Sequence, residues 1–552
     1  MPQRLNWNKR AVIAPNDQKV IHWIEVGLAA VLLFVLSALH FIIYRHSGGL
    51  WRDEVNSVNY VTLSSVFDFG TKFQSDSFPI LWFLLLRAWI FLGFGGSDLA
   101  LRVLGLIVGL GSLVALWHAG RKLGSRLPVI ALVLFAMSPI AFVGDSLRAY
   151  GLGVLLILLA LSSMWSVIKN PTPRRMVVCA ILVILSVQCL YNNSFLILAI
   201  CMGAAAVGFY RRQWKLMAFP LGVGILAAAT VLPYLWTFSK IYDGHIVTRV
   251  PIGLMEFFTN FKKAIDPSDT LLTWVWAALA LLTLIIFIRV LVKSTQSFSV
   301  KEKELAIYLL TTMLISFMTY FAFIKILSWP TQSWYYLPIM AVLVVIIDRG
   351  IDGICKNGSL GRIIRIAFVL VIAPFLFKDS WNNAFTRKTN IDVLSAKLES
   401  LVDKDDLIVV TRFYYGVSFA RYYQGAAAWV TLPEIADHSV HRYDLLKEKM
   451  METEPIKPVL QKMINTLQNG HRVWLVGRLN TLSPGKIPRP LPPAPQSPYG
   501  WSENAYESSW LEMAAYTLQM HGQPPKVISI PVDTQANELE NLPLMLVQDI
   551  RL

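Results

Sequence analysis

The sequence predicts a polytopic α-helical membrane protein of about eleven spans, residues 1–378, followed by a soluble α/β domain, residues 379–552. Of its 552 residues, 55% are hydrophobic and only 15% are charged, a composition that excludes a disordered or a simple soluble chain. Apolar runs recur from residue 22 to residue 378. Each run approaches the roughly 20 residues that a helix needs to cross a hydrocarbon layer of about 30 Å. After Phe377 the runs become short and β-rich.

The predicted spans follow these apolar runs, with ends that periodicity defines only to within a few residues. They lie near residues 22–44, 98–119, 127–143, 150–168, 175–190, 194–210, 216–236, 271–292, 305–327, 333–348 and 363–378.

The net charge of +15 suggests a nucleic-acid protein at first, but its distribution excludes that reading. Residues 379–552 hold 17 basic and 19 acidic residues, so residues 1–378 hold 33 and 16. The basic residues of this part concentrate in alternate loops, as the positive-inside rule requires when the N-terminus is cytoplasmic. The short outside turns at 145–149, 191–193 and 328–332 contain a single basic residue, Arg148. We therefore expect no nucleic-acid partner, contact with anionic membrane lipids, and an extracytoplasmic C-terminal domain.

Two further features refine this topology. Pro79 to Gly95 is apolar, but counting it as a span would reverse the charge alternation, so we interpret it as an amphipathic helix at the outer surface, with Arg87 and Trp89 at the interface. The first span lacks a cleavage pattern and is predicted to be an uncleaved anchor. The four cysteines all precede residue 379, so no disulfide is expected in the outside domain.

In the C-terminal domain the pattern predicts a small, parallel-leaning sheet with helices between its strands. The strands are Leu407 to Thr411, Ala428 to Leu432, Arg472 to Val476 and Lys526 to Ile530, and the helices include 391–401 and 459–467.

Two polar features of this domain have competing interpretations. Pro484 to Gly500 contains seven prolines in 17 residues, which favours an extended surface loop over acceptor contact. His438 and His441 could be ligands, but a surface or capping role is favoured.

Acidic residues are scarce in the membrane part, so the position of Asp53 and Glu54 in the first outside loop is informative about function. Adjacent carboxylates at a membrane surface could supply a general base or hold a divalent cation. Taken alone, the pair is better explained as two solvated loop residues.

A second polar cluster follows the third predicted span, also on the outside. Here Arg148 and Tyr150 could hold a phosphate, the first through its guanidinium fork and the second through its hydroxyl, with Asp145 close by. The alternative is that Arg148 only reaches the headgroups and that Tyr150 belongs to the aromatic belt.

Together the two loops resemble the GT-C membrane glycosyltransferases, specifically the bacterial relatives of protein O-mannosyltransferases and of the lipid A aminoarabinose transferase. The resemblance rests on four segments in one order: WRDE at 51–54, SFPILWFLLLRAW at 77–89, SDLALRVLG at 97–105 and GDSLRAYGLG at 144–153. It covers roughly residues 22–240, and the later spans match only in general architecture.

The sequence departs from the family pattern at three places. Ser77-Phe78-Pro79 replaces a common His-Pro-Pro, the acidic residue at Asp145 is displaced by one position, and Trp334-Tyr335-Tyr336 replaces an Arg-Tyr pair. Lys262 and Lys263, in the outside loop 237–270, are candidates for a phosphate contact by charge and side, with plain interfacial lysines as the alternative.

The resemblance implies a transferase that moves a sugar from a polyprenyl-phosphate-linked donor to a glycan, lipid or protein acceptor at the outer face of the cytoplasmic membrane. In this interpretation Asp53 is the base and Glu54 orients it or shares a cation. Arg148, with Tyr150, stabilises the leaving phosphate, and Asp145 supports Arg148. A divalent cation, if bound, would use Asp53, Glu54 and Asp145.

Two other classes of function remain open from the sequence. A transporter or lipid-carrier flippase would use intramembrane charges as a substrate path, although no repeated halves are evident. Alternatively, the spans could simply anchor a domain that binds envelope polymers.

Overall fold

The computed structural model is predominantly helical and describes residues 15–63, 78–235, 250–293, 298–355, 359–494, 503–530 and 536–548. Among these residues, nine helices are long and apolar enough to cross a membrane. The protein is therefore a multi-pass membrane protein, as predicted. In chain order the nine helices are α1 (Pro15–His46), α4 (Asp98–Lys122), α5 (Tyr150–Lys169), α7 (Asn193–Tyr210), α8 (Trp214–Ala229), α10 (Leu272–Val292), α11 (Val300–Leu327), α12 (Leu337–Cys355) and α13 (Ser359–Ala384). Helix α8 continues through a 3₁₀ turn to Tyr234, so that its apolar helical stretch is 21 residues long.

Shorter helices connect or flank these nine. They are α2 (Arg52–Val61), α3 (Ile80–Trp89), α6 (Pro173–Val187) and α9 (Leu254–Ile265), with 3₁₀ turns at Leu232–Tyr234 and Ser333–Tyr336. The end of the bundle that contacts the C-terminal domain is called the domain end.

The prediction of a regular spanning helix at 127–143 is wrong. This segment consists of a single α-turn, a π-helical stretch at Leu132–Ala136 and a 3₁₀ helix at Pro139–Asp145. Proline at 139 cannot donate a backbone hydrogen bond, which breaks the α-helix there. At the start of the segment, Asp348 Oδ1 accepts the backbone N–H groups of Ile130 (3.0 Å) and Ala131 (3.3 Å). A carboxylate on α12 thus satisfies donors that an irregular segment leaves open.

The predicted span at 175–190 corresponds to α6, which has only 15 residues. At 1.5 Å per residue it extends about 22 Å, less than the roughly 30 Å of hydrocarbon. Eleven predicted spans therefore become nine long helices in the described residues, together with this short helix and the broken segment.

Helix α3 lies across the domain end, as expected for the apolar stretch at 79–95. At its start, the backbone N–H of Leu81 donates to the carbonyl of Gln188 (3.0 Å), and at its end Trp89 Nε1 donates to the carbonyl of Ala100 (3.1 Å). Both acceptors belong to the same end of the bundle. The helix continues into a π-helical turn, Ile90–Phe94.

The C-terminal domain has a five-stranded mixed sheet of order β2-β1-β3-β5-β4. Its strands are β1 (Leu407–Val410), β2 (Ala428–Thr431), β3 (Val473–Val476), β4 (Lys526–Ile528) and β5 (Leu544–Val547), and its helices are α14 (Ile391–Glu399), α15 (Tyr415–Tyr422), α16 (Tyr443–Met451), α17 (Lys457–Gln468) and α18 (Glu503–His521). Strands β2, β1 and β3 are parallel, as expected. Strand β5 was not predicted, and it pairs antiparallel with both β3 and β4.

Each part of the chain has its own hydrophobic core. The membrane core extends along the chain to Ala384 and also includes Val417 and Val440 of the C-terminal domain, whose own core begins at Ile391. Helix α13 thus continues six residues beyond the predicted boundary at 378, and the short connection at 385–390 separates the two parts.

Candidate functional site

The acidic pair of the first loop lies in the first turn of α2. Asp53 and Glu54 directly follow its first residue, Arg52, and Trp51 precedes the helix. The backbone N–H of Trp51 donates to Glu54 Oε2 at 3.3 Å. Carboxylates are favoured at this position because backbone N–H groups and the positive end of the helix dipole face them.

Glu54 is fully buried and is held by an arginine of α4. Arg102 donates to both of its carboxylate oxygens, each at 3.0 Å, and the backbone N–H of Leu147 also donates to Oε1 at 3.0 Å. Glu54 therefore joins α2, α4 and the turn after Asp145. No hydrogen bond between Glu54 and Asp53 is found among the described residues.

Arg102 also fixes the loop that precedes α2. Its guanidinium donates to the carbonyls of Gly48 (3.2 Å) and Gly49 (2.7 Å). Sequence reasoning noted the segment that contains Arg102 but gave this residue no role. Its signal was present, because an arginine in an apolar helix requires a partner.

Asp145 is paired with His40 of α1, a residue that sequence reasoning did not single out. Nδ1 of His40 lies 2.9 Å and 2.7 Å from the two carboxylate oxygens, and both side chains are buried. The approach depends on two glycines of α4. A Cβ at Gly105 would lie 2.0 Å from the Asp145 carbonyl oxygen, and one at Gly109 would lie 2.0 Å from Oδ1. Asp145 is thus coupled to α1 through His40.

Arg148 lies directly beside α2, as the predicted site requires. Its Nη1 donates to the backbone carbonyl of Asp53 at 3.1 Å and to Ser57 Oγ at 3.0 Å. The guanidinium carbon lies 4.4 Å from the ring centroid of Phe78, which in turn contacts Tyr150 edge-on at 5.2 Å. Phe78 therefore packs between Arg148 and Tyr150, and these three side chains are called the wall of the site.

Tyr335 and Trp334, just before α12, also border this wall. The ring of Tyr335 lies 6.2 Å from that of Tyr150, and Trp334 contacts Trp51 edge-on at 6.0 Å. Within the described residues, no hydrogen bond or ion pair joins Lys262 or Lys263 to these side chains. Lys262 forms an exposed ion pair with Asp269 at 2.6 Å, near the end of α9.

Asp53 is the most accessible of the three carboxylates, with a quarter of its side chain exposed. Its Oδ1 lies 3.4 Å from His441 Nε2 and 3.8 Å from Arg52 Nε. Burial opposes ionisation of this carboxyl, but His441, Arg148 and Arg52 outweigh it and hold the pKa of Asp53 below its usual range. Asp53 is therefore ionised at neutral pH.

Two side chains of the C-terminal domain reach this site. His441 is buried rather than at the surface, which contradicts the favoured prediction, and its backbone N–H donates to Asn56 Oδ1 at 2.7 Å. Glu540 accepts the backbone N–H of Arg52 at 3.0 Å. His438, the other histidine considered, packs on Trp429 with ring centroids 4.8 Å apart, and burial lowers its pKa to about 4.

The domain is attached by further contacts around the same loop. The Arg52 guanidinium lies over the ring of Tyr414 at 4.6 Å. The Tyr422 hydroxyl accepts the backbone N–H of Leu50 and hydrogen-bonds Asp98, which also pairs with Arg421 at 2.7 Å.

Lys388, in the connection between the two parts, adds a cation near Glu54 and Asp145. Its backbone N–H donates to the carbonyl of Ser47 at 2.8 Å. Burial lowers the pKa of its ammonium, and the nearby Glu54 and Asp145 carboxylates partly offset this effect. Sequence reasoning missed this lysine because it lies far along the chain from both loops.

The three carboxylates considered for a divalent cation are not arranged as a common set of ligands. Glu54 is engaged by Arg102, Asp145 by His40, and Asp53 lies against His441. Within the ranges that the structure describes, no group of three histidine, cysteine, aspartate or glutamate side chains could hold a metal ion. These residues therefore do not fit a shared metal, and no step is assigned to one.

No protein-family model and no curated protein matches the sequence. Solved structures match the chain at low identity. The apo structure of ArnT from Cupriavidus metallidurans has 10% identity and a TM-score of 0.49, covering 96% of this chain and 98% of that one. ArnT bound to undecaprenyl phosphate has 10% identity and a TM-score of 0.44, covering 97% and 98%.

The archaeal oligosaccharyltransferase AglB from Archaeoglobus fulgidus, in complex with an inhibitory peptide and a dolichol-phosphate, has 11% identity and a TM-score of 0.44. It covers 82% of this chain and 69% of its own.

Proposed function

We propose that the protein is a membrane glycosyltransferase that moves a sugar from a polyprenyl-phosphate-linked donor to an acceptor at the outer face of the cytoplasmic membrane. One observation carries the proposal. The side-chain carboxylate of Asp53 is ionised and partly exposed, and the backbone carbonyl of the same residue accepts a hydrogen bond from Arg148. A base and a phosphate-binding cation therefore adjoin at one end of the membrane helices.

The proposed reaction is a single displacement at the anomeric carbon. The acceptor hydroxyl oxygen forms the new bond to this carbon while the bond to the phosphate oxygen breaks, and its electron pair leaves with the polyprenyl phosphate. The hydroxyl proton passes to the Asp53 carboxylate, which acts as general base as in inverting glycoside chemistry. Arg148 stabilises the charge that develops on the phosphate. Tyr150 belongs to the same wall and adds a hydroxyl.

Glu54 and Asp145 receive positioning roles in this proposal. Glu54 uses its carboxylate oxygens on Arg102 and the Leu147 N–H, so it holds the two site loops together. Asp145 holds the second loop against α1 through His40. Preorganised loops matter because electrostatic catalysis depends on groups that need not rearrange during the reaction.

The test is transfer by purified protein in proteoliposomes. The donors are undecaprenyl-phosphate-linked hexoses and pentoses, offered one by one with an extract of envelope lipids and glycans. Release of undecaprenyl phosphate and the appearance of labelled sugar in the acceptor fraction are both measured. Asp53→Asn keeps the size of the side chain and removes the base, so we expect a loss of at least about 100-fold, within the range for general base catalysis.

Asp269→Asn is the matched control, because Asp269 is exposed and pairs with Lys262 away from the site. We expect it to retain the wild-type rate. Full transfer by Asp53→Asn would contradict the catalytic assignment. Movement of the carrier lipid across the vesicle, without release of sugar from any donor, would instead support transport.

A further inference from the structure

The histidine that contacts Asp53 belongs to the other domain. His441 precedes α16 of the C-terminal domain, only 7% of the residue is exposed, and its backbone is fixed to α2 through Asn56. Its Nε2 lies 3.4 Å from Asp53 Oδ1. Neither of its ring nitrogens has a hydrogen-bond partner of regular geometry within the described residues.

A buried imidazole without a regular partner is costly, because polar groups removed from water lose hydrogen bonds worth about 1–3 kcal/mol. The acceptor that faces Nε2 is the Asp53 carboxylate. Contacts of this kind are often long in an unliganded enzyme and shorten when substrate is bound. The geometry therefore favours an Asp–His pair that is nearly formed.

Charged and titratable groups from both parts of the chain face Asp53. Arg52, Arg148 and His441 favour its ionised form. Glu540 and Tyr443 also interact with it electrostatically, from the C-terminal domain. Arg148 approaches the backbone carbonyl of Asp53 rather than its carboxylate. Arg52 approaches Oδ1 at 3.8 Å, farther than His441.

We propose that His441 is a positioning residue that orients the Asp53 carboxylate for proton transfer, so that the C-terminal domain completes the active site of the membrane domain. This inference rests on the proposed function, in which Asp53 is the base. A donor on Oδ1 leaves Oδ2 to accept the proton from the acceptor hydroxyl. It also keeps the carboxylate from rotating toward Arg52.

This arrangement makes the C-terminal domain part of the catalytic machinery rather than an accessory. His441 lies in the loop before α16, and its backbone contact to Asn56, together with the contact of Glu540 with Arg52, attaches the domain on both sides of Asp53 in the sequence. Displacement of the domain by about 1 Å would then misplace the base, an error that can cost about 100-fold in rate.

The test compares three histidine variants in the transfer assay, using the donor that the wild-type protein turns over. His441→Phe keeps the ring and removes both nitrogens, whereas His441→Gln restores a neutral donor at similar reach. His438→Phe is the matched control, because His438 lies three positions away and packs on Trp429. Size-exclusion profiles and thermal unfolding check that each variant is folded.

We expect His441→Phe to lower kcat by about 10- to 100-fold with little change in KM for the donor. Loss of the imidazole also removes a contact that favours the Asp53 carboxylate. The acid limb of the kcat profile should therefore move to higher pH. His441→Gln should recover part of the rate, and His438→Phe should match the wild type in both rate and profile.

Three results would overturn the inference: a wild-type rate and profile in His441→Phe, a loss of rate with an unchanged profile, or no recovery in His441→Gln. Failure of the proposed function looks different. If Asp53→Asn is active, Asp53 is not the base, and the inference falls with it. If Asp53→Asn is inactive and His441→Phe is normal, only the inference is wrong. A double variant, Asp53→Asn with His441→Phe, should be no slower than Asp53→Asn alone.

Discussion

Arg102 and Glu54 form a bidentate ion pair in which both side chains are almost completely buried. Removing one partner of such a pair leaves an uncompensated buried charge, at a cost of about 3–5 kcal/mol. We therefore expect Glu54→Ala to lower the thermal unfolding midpoint and the yield of folded protein.

The exposed Lys449–Glu452 pair is the comparison for this prediction. Glu452→Ala should change stability by less than about 1 kcal/mol, because water screens exposed ion pairs. Replacing both Arg102 and Glu54 by leucine should be less harmful than Glu54→Ala. Equal unfolding midpoints for Glu54→Ala and Glu452→Ala would contradict the assigned role.

Gly109 is predicted to be essential for the Asp145–His40 pair. A Cβ at this position would lie 2.0 Å from Asp145 Oδ1 and 2.8 Å from His40 Nδ1, so Gly109→Ala must displace one of them. We expect loss of transfer and lower stability. Gly222→Ala, on α8, is the matched variant, because nothing lies within 4 Å of its added Cβ. It should be neutral or stabilise the helix by up to about 1 kcal/mol, since alanine is the better helix former.

Tyr422 is predicted to fix the loop before α2. Its hydroxyl accepts the backbone N–H of Leu50 and hydrogen-bonds Asp98. Tyr422→Phe should increase hydrogen exchange at the Leu50 amide, since a lost hydrogen bond costs about 1–2 kcal/mol. Tyr423→Phe is the control, because the ring of Tyr423 stacks on Phe419 inside the C-terminal domain. Unchanged exchange at Leu50 in Tyr422→Phe would show that this contact does not hold the loop.

Glu507 is predicted to make the stability of the C-terminal domain pH-dependent. Burial raises its pKa to about 7, partly offset by Arg412. Because the folded state favours the protonated acid, the contribution of Glu507 to stability is largest at low pH. It decreases as the pH rises from the unfolded pKa, about 4.5, through about 7. Glu507→Gln should therefore be more stable than the wild type at pH 8, by about 1–3 kcal/mol, and similar at pH 5.

Chemical unfolding of the full-length protein, followed by tryptophan fluorescence at both pH values, measures this difference. Glu452→Gln serves as the exposed control and should show no pH-dependent gain. A gain from Glu507→Gln that is equal at pH 5 and pH 8 would contradict the assigned titration.

Residues 127–143 illustrate how far the sequence alone predicts the fold. Hydropathy counts apolar side chains, so it identified a buried segment correctly but could not show that its backbone leaves the α-helix. The irregular path depends on Pro139 and on the carboxylate of Asp348, which accepts two backbone N–H groups from a helix more than 200 positions away. Apolar side chains that favour burial are recognised from the local sequence. The hydrogen bonds that satisfy the irregular backbone come from a distant helix, so the local sequence does not show them.

The candidate site shows the same division at the level of single charges. Local composition and motif order identified Asp53 and Arg148, which the structure brings together. They gave Glu54 and Asp145 supporting roles or a shared cation, and the structure engages these two carboxylates with Arg102 and His40. Lys388 and His441 were given no catalytic role, since nothing near them in the sequence indicates what they approach.

The sequence by itself determined that the chain is a multi-pass membrane protein with an α/β domain at its C-terminal end. Apolar run length, alternation of basic loops and short β-rich segments are properties of neighbouring residues. Only the tertiary structure decided which carboxylate is accessible, which cation pairs with each acid, and that the C-terminal domain places His441 3.4 Å from Asp53. Ion pairing and burial depend on distances between helices and domains, and those distances arise only when the two hydrophobic cores have packed and docked.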